Sequence, residues 1–154
     1  MPTFPLIVAQ YELQGHKYRQ EHWLLAALEK QQTGHIFQLI GNTDTFAYEA
    51  SIDSDFPTSQ TLCGGCLVGS VDSEQLAWVK SKLKEVPVRR NSPEEFDCQN
   101  WVMQALRLLK YSPHPGVEIT EVSESAIREE LKKEKEKWET GEETLEDRIL
   151  NDSR

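Results

Sequence analysis

Apolar residues in the first half of the chain follow patterns that predict β-strands. Leu6 to Leu13 begins with an apolar, β-branched run and then alternates, which is typical of a strand that enters a core. The turn signal Thr33-Gly34 precedes an apolar run from His35 to Ile40. Phe46 to Ile52 and the glycine- and valine-rich Leu62 to Val71 indicate two further strands. These patterns predict an antiparallel meander in the middle of the chain.

One segment is ambiguous, because its composition and its pattern favour different structures. Glu21 to Gln32 contains Leu, Ala, Glu, Lys and Gln, which favour a helix by propensity. Its centre is also apolar enough for a strand buried on both faces. Propensity alone favours the helix.

The second half of the chain has the spacing of helices. Ser73 is positioned to cap a helix that ends before Pro87. A second helix begins either at Ser92-Pro93 or at Asp97. Its apolar positions share one face, which we expect to pack on the core. They are Cys98, Trp101, Val102, Ala105, Leu106 and Leu109.

The C-terminal part changes in character after a last candidate strand at Val117 to Val122. From Ser123 onward the sequence is a highly charged helix former with a thin apolar stripe, which predicts a solvated, charged helix. We therefore expect an α+β domain over residues 1–120 and a charged helical tail over residues 121–154. The stripe consists of Ile127, Leu131 and Trp138.

Length, charge and cysteine content narrow the classes of function. A chain of 154 residues suits one domain with a real core. The formal net charge of −9 disfavours nucleic acid and anionic lipid as partners. No apolar run approaches the roughly 20 residues of a bilayer span, so we expect no membrane insertion. Three cysteines cannot all pair, which suits a reducing, cytoplasmic location.

Cys98 is the candidate nucleophile if the second helix starts at Asp97. The helix dipole and the unpaired backbone N–H groups at a helix N-terminus stabilise a thiolate. The same N–H groups can stabilise the oxyanion that forms when the thiolate attacks a carbonyl. A nearby imidazole would accept the thiol proton and deliver it to a leaving group.

His22 and His35 are the candidate imidazoles, because each lies inside or at the edge of an apolar segment. If both segments are paired strands joined around Lys30 to Gly34, the two rings can be cross-strand neighbours. One ring would then be the base and the other would orient it. The alternative for each is a structural role, with Cys98 an ordinary core cysteine.

These residues resemble a known group of enzymes. His22-Trp23 before an apolar strand, His35 on the next strand, and Asp97-Cys98-Gln99-Asn100-Trp101-Val102 at a helix start resemble the lecithin retinol acyltransferase-like proteins. Those proteins are circularly permuted, papain-like members of the NlpC/P60 superfamily, and desumoylating-type isopeptidases have a similar outline. The resemblance covers roughly residues 6 to 111.

The resemblance implies a small antiparallel sheet or half-barrel packed against helices, with a strand at residues 21–28. It also implies that Cys98 is the nucleophile, that His22 is the general base and that His35 orients His22. Phospholipid is disfavoured as the acyl donor, because the chain ends in a charged polar tail where animal members carry a membrane anchor.

A pair of cysteines offers an alternative interpretation of the sequence, as a redox or metal-binding protein. Cys63-Gly64-Gly65-Cys66 has the spacing of a redox or metal half-site. A zinc site needs two further ligands, and His16 and His114 lie in polar or proline-rich loops that indicate surface positions. A redox pair should open a helix, whereas Leu67-Val68-Gly69 continues like a strand. We expect no metal and no cofactor.

Two functions from different classes follow from these observations. The first is a cysteine-dependent hydrolase or acyl or amide transferase that forms a thioester at Cys98, with a small-molecule or peptide substrate that carries an amide or ester carbonyl. The second is a non-catalytic papain-like scaffold that acts as a protein-interaction module. In that case the carboxylate of Asp97 beside Cys98 and the acidic tail indicate that catalysis is absent, and the tail would contact a protein partner.

Overall fold

The protein is an α+β fold built on one open antiparallel sheet. In the computed structural model, the described residues are 2–12, 21–29, 32–41, 45–56, 61–88 and 97–151. Within these ranges six strands form the sheet in the order β4-β3-β2-β1-β5-β6. The strands are β1 Thr3–Glu12, β2 Glu21–Glu29, β3 Thr33–Ile40, β4 Ala47–Asp53, β5 Leu62–Asp72 and β6 Val117–Ile119.

Four α-helices accompany the sheet within the same ranges. The first is short and lies between two single turns of 3-10 helix, at Ser73–Gln75 and Leu83–Glu85. None of the helices in the described ranges combines the length and the apolar character that a bilayer crossing requires. The helices are α1 Leu76–Lys82, α2 Cys98–Lys110, α3 Glu124–Glu139 and α4 Leu145–Asn151.

The central strand β2 is buried on both faces of the sheet, between which the side chains along a strand alternate. In β2, residues 23, 25 and 27 belong to one apolar cluster and residues 24, 26 and 28 to another. We call these sides the first face and the second face. The apolar run of β2 that left its structure ambiguous thus belongs to a central strand with both faces covered. The helix that propensity alone favours at this segment is wrong.

The first face holds the larger core. α2 covers β2 and β3 there, and α3 packs on β5. The apolar face predicted for α2 is confirmed, since all six of its positions are buried. The helix begins at Cys98 after the N-cap Asp97, while the alternative start at Ser92-Pro93 lies outside the described residues.

α3 is part of this core and is not a solvated tail. Ile127 and Leu131 are fully buried in the first-face cluster. Ser123 accepts a hydrogen bond from the N–H of Ala126 and so caps the helix. The expected helix is confirmed. Its expected exposure to solvent is wrong, because Ile127 and Leu131 are enough to pack the helix on the core.

α4 lies on the opposite side, where Leu145 and Ile149 pack against the second-face cluster. Between α3 and α4 the chain therefore crosses from the first face of the sheet to the second, and it does so beside β5. Gly64 and Gly65 of β5 lie at this crossing. A Cβ atom on Gly64 would overlap the side chain of Glu134, and one on Gly65 would crowd Ile7. The missing side chains let the helical segment approach the strand.

The remaining boundaries differ in detail from the sequence prediction. Ser73 opens a 3-10 turn rather than capping a helix, since that turn has no side-chain cap hydrogen bond at its N-cap Asp72. The last strand is shorter than expected and pairs only with Gly69 to Val71 of β5. α4 was not expected, because its short polar sequence lacks a clear apolar period.

Candidate functional site

Cys98 occupies the first position of α2, as its candidate role requires. Only 9% of the residue is exposed, and it belongs to the first-face core. The N-cap Asp97 accepts hydrogen bonds from the N–H groups of Gln99 and Asn100, at 2.9 Å and 3.2 Å. Asn100 Oδ1 accepts from the N–H of Asp97 at 3.0 Å, which completes a capping box. The amides of Gln99 and Asn100 are thus already bonded to a carboxylate and are not free to stabilise an oxyanion.

Polar contacts join the start of α2 to β2 and α3. Gln99 Nε2 donates to the carbonyl of Glu21 at 3.0 Å, and Arg128 of α3 donates to Gln99 Oε1 at 2.8 Å. The guanidinium of Arg128 lies 4.7 Å from the ring centre of Trp23, a cation–π arrangement. Cys98 is therefore held beside the beginning of β2, next to the strand that contains His22.

His22 nevertheless faces away from Cys98, on the second face of the sheet. It pairs across the strands with Tyr11, whose ring centre lies 6.5 Å away. His22 Nε2 donates to Gln38 Oε1 at 2.9 Å. The register agrees, because Leu24, two residues along β2, belongs to the second-face cluster. His22 and the apolar cluster that contains Cys98 therefore lie on opposite faces of the sheet.

The electrostatic setting of His22 favours the neutral ring. Burial lowers its pKa, and the hydrogen bond to Gln38 and the carboxylate of Asp97 oppose that shift. The influence of Asp97 shows that the helix start lies within electrostatic range of the ring. Because Nε2 donates to Gln38, the neutral ring accepts a proton at Nδ1.

His35 does not orient His22, and the expected neighbouring rings are wrong. His35 pairs with Ala27 and therefore lies on the first face. Its Nε2 atom is 3.0 Å from Glu29 Oε2, and its ring stacks on Phe4 with centres 5.6 Å apart. The polar partner of His22 is Gln38 instead. Its signal in the sequence is a polar residue inside the apolar run of β3.

Of the other two histidines, His114 has partners elsewhere in the fold. His114 Nε2 lies 2.6 Å from Gln75 Oε1, and its ring stacks on Trp78 at 3.9 Å. His114 is therefore partly buried rather than a free surface residue. His16 lies outside the described residues.

Cys63 and Cys66 have the environment of structural cysteines. Both are buried in β5 and neither forms a disulfide. Burial raises the pKa of Cys63 to about 11 and that of Cys66 to about 12, opposite to the shift of a reactive thiol. No cluster of three or more His, Cys, Asp or Glu side chains in the described ranges could hold a metal ion. The two glycines between the cysteines have a clear role, which is the close approach of the C-terminal helices.

The second face contains a groove that the sequence did not indicate. It has a volume of about 480 Å³ and extends from the end of β1 across β2 and β3 to β4. Leu24 and Ile36 give it apolar walls, His22 and Gln38 form its polar pair, and Asp53 adds a carboxylate. The groove therefore combines an apolar surface with a few polar groups, as binding clefts do.

The chain matches the model of a family of unknown function, DUF6540, over residues 7–112. The chain belongs to the DUF6540 family. The matched region contains β2 to β5, part of β1, the groove residues and Cys98, and it ends before β6, α3 and α4. No curated protein and no solved structure shows significant similarity to the chain.

Proposed function

We propose that this DUF6540 chain is a non-catalytic protein-interaction module. The observation that supports this function is the placement of His22 and Cys98 on opposite faces of the sheet. A thiol and an imidazole need hydrogen-bond contact to form a catalytic pair. The strand register would have to shift by one residue to bring them together, and such a shift would turn the whole buried pattern of β2 inside out.

Two further features favour binding over catalysis. The amides of Gln99 and Asn100 are occupied by Asp97, so the helix start lacks free donors at these two positions for an oxyanion. His35, the residue expected to orient His22, bonds to Glu29 instead. The second-face groove supplies an open surface that a partner could use.

We propose further that the scaffold is of the permuted papain-like type. The order of elements supports this proposal, since two adjacent strands bearing histidines precede a helix that opens with Cys98. The open antiparallel sheet with helices packed on it is compatible with the same outline. In this interpretation the nucleophile position is retained while the catalytic geometry is absent.

The rate of Cys98 alkylation by iodoacetamide as a function of pH tests the function. The wild type, His22→Ala and His16→Ala are compared, with Cys98→Ser as the blank for the buried Cys63 and Cys66. We expect the Cys98 profile to be the same in all three proteins. A profile that moves to higher pH when either histidine is removed would establish a thiol–imidazole pair and refute the non-catalytic role.

A further inference from the structure

β4 is an exposed edge strand of the sheet, and its outer side is able to pair with another strand. Within the described ranges no strand lies on its outer side. It pairs with β3 in unbroken register from Ala47 to Asp53, without a bulge. Natural edge strands are usually protected by lysine, proline or a bulge, and β4 contains none of these. Its outer backbone groups therefore form a template for another strand.

The first-face side of β4 is fixed to the body of the protein. Tyr48 stacks on Trp101 with ring centres 5.5 Å apart, and its hydroxyl donates to the carbonyl of Lys80 at 3.0 Å. Ile52, further along the same side, is 69% exposed. Tyr48 thus anchors one end of β4 to the body of the protein, and the apolar side chain of Ile52 is accessible to a partner near the other end.

The second-face side of β4 is acidic and borders the groove. Glu49, Ser51 and Asp53 alternate on this side, and Ser51 and Asp53 line the groove. Neither β4 nor its neighbour β3 contains Lys or Arg. A strand added to this edge would gain most from basic side chains on the groove side, because opposite charges on adjacent strands attract.

We propose that β4 binds an extended segment of a partner protein as an additional strand, with basic side chains on the groove side and apolar side chains beside Ile52. This inference rests on the proposed interaction function and names its surface. The main-chain hydrogen bonds provide affinity, and the alternating side chains select the sequence. A basic side chain next to Asp53 could lie along the apolar walls of the groove, since long basic side chains cover apolar surface with their stems.

A second copy of this chain is the less suitable occupant. If β4 paired with β4 of a second copy of the chain, Glu49 and Asp53 of both chains would lie close together on two adjacent strands. Four carboxylates in that arrangement repel one another, which disfavours self-association. The acidic edge therefore selects against the homodimer and in favour of a basic partner.

Fluorescence polarisation with two labelled ten-residue peptides tests this proposal. One peptide alternates lysine with valine, and the other alternates glutamate with valine. The full chain is compared with Glu49→Lys, an exposed change on β4, and with Glu118→Lys, the same change at an exposed site on β6 at the other edge of the sheet. Hydrogen exchange of the β4 amides with and without peptide locates the contact.

We expect the lysine peptide to bind the wild type and Glu118→Lys with similar affinity. It should bind Glu49→Lys about tenfold more weakly, a change of about 1.4 kcal/mol, because the substitution removes one attraction and adds one repulsion on the binding strand. Bound peptide should slow exchange at β4. No binding, equal weakening by both substitutions, or dimerisation of the free chain would overturn the proposal. These outcomes leave the alkylation profile of Cys98 unaffected, so failure here is distinct from failure of the non-catalytic function.

Discussion

Gly64 lies directly against Glu134, at the edge of β5 where the chain passes from the first face of the sheet to the second. Glu134 is fully buried there, and its Oε1 atom accepts a hydrogen bond from the N–H of Leu145 at the start of α4. Lys137 and Arg148 lie 3.5 Å and 4.0 Å from its carboxylate oxygens. One glycine on the strand and one carboxylate on the helix thus join the C-terminal segment to the sheet.

Replacing Gly64 by alanine should destabilise the fold strongly, because the added methyl group would overlap the side chain of Glu134. The positive φ of +139° adds backbone strain. We expect a loss of more than about 3 kcal/mol in the free energy of unfolding, measured by urea denaturation. Gly141→Ala is the matched control, since Gly141 also has a positive φ but has no atom within 4 Å of an added Cβ. It should cost about 1 kcal/mol, and equal losses would exclude the proposed overlap.

The buried carboxyl of Glu146 should make stability depend on pH near neutrality. Burial raises its pKa to about 7, the hydrogen bond from Thr144 opposes the shift, and the charges of Asp147 and Glu134 add to it. The folded state therefore favours the protonated acid, whose ordinary pKa is about 4.3. Its stabilising contribution is complete below about pH 4 and is lost as the pH rises through 7, by about 3 kcal/mol.

Urea denaturation of the wild type and of Glu146→Gln between pH 5 and pH 8 measures this effect. The glutamine variant retains the side-chain shape without the titrating group, so its stability should fall less across the range. A decline of the same size in both proteins would show that another group is responsible.

Leu131 should contribute to the stability of the whole domain, because α3 belongs to the first-face core. We expect Leu131→Ala to cost about 2–5 kcal/mol in the free energy of unfolding. Lys133→Ala, on the exposed side of the same helix, should change it by less than about 1 kcal/mol. If the two variants were equally stable, α3 would be a dispensable appendage rather than part of the core.

Asp97→Asn should lower the pKa of His22 further. The buried ring already titrates below the ordinary histidine range, and the Asp97 carboxylate opposes that shift. Asparagine can still cap α2, so the helix start should persist. Nuclear magnetic resonance titration of the imidazole measures the change, with Asp72→Asn, at the opposite end of β1, as the control. An unchanged His22 pKa in Asp97→Asn would place the carboxylate out of electrostatic range.

The same titration has a consequence for stability. Because the pKa of His22 is lower in the folded state than in the unfolded chain, the folded state favours the neutral ring. The contribution of His22 to stability is therefore lost as the pH falls below about 6.5.

Much of the secondary structure could be predicted from local sequence. Four of the five longer strands, β1, β3, β4 and β5, follow from alternating or continuous apolar runs bounded by turn residues, and α2 follows from its apolar face and its Asp97 cap. These features depend on neighbouring residues and on the period of each element, which are visible in the chain itself. β2 is the exception, since its apolar run fits either structure until the strands on both sides are known.

The sequence by itself determined that Cys98 lies near the start of a helix and that His35 lies on a strand, and it left the structure around His22 open. Only the tertiary structure decided which side of the sheet each side chain occupies. The pairing of Ala27 with His35 sets the register of β2 and β3, and His22 is an odd number of positions from Ala27. Because side chains on a strand alternate, that odd separation places the two imidazoles on opposite faces. The register depends on long-range packing, which no short motif records, and for that reason the motif alone predicted neighbouring imidazoles that the fold places on opposite faces.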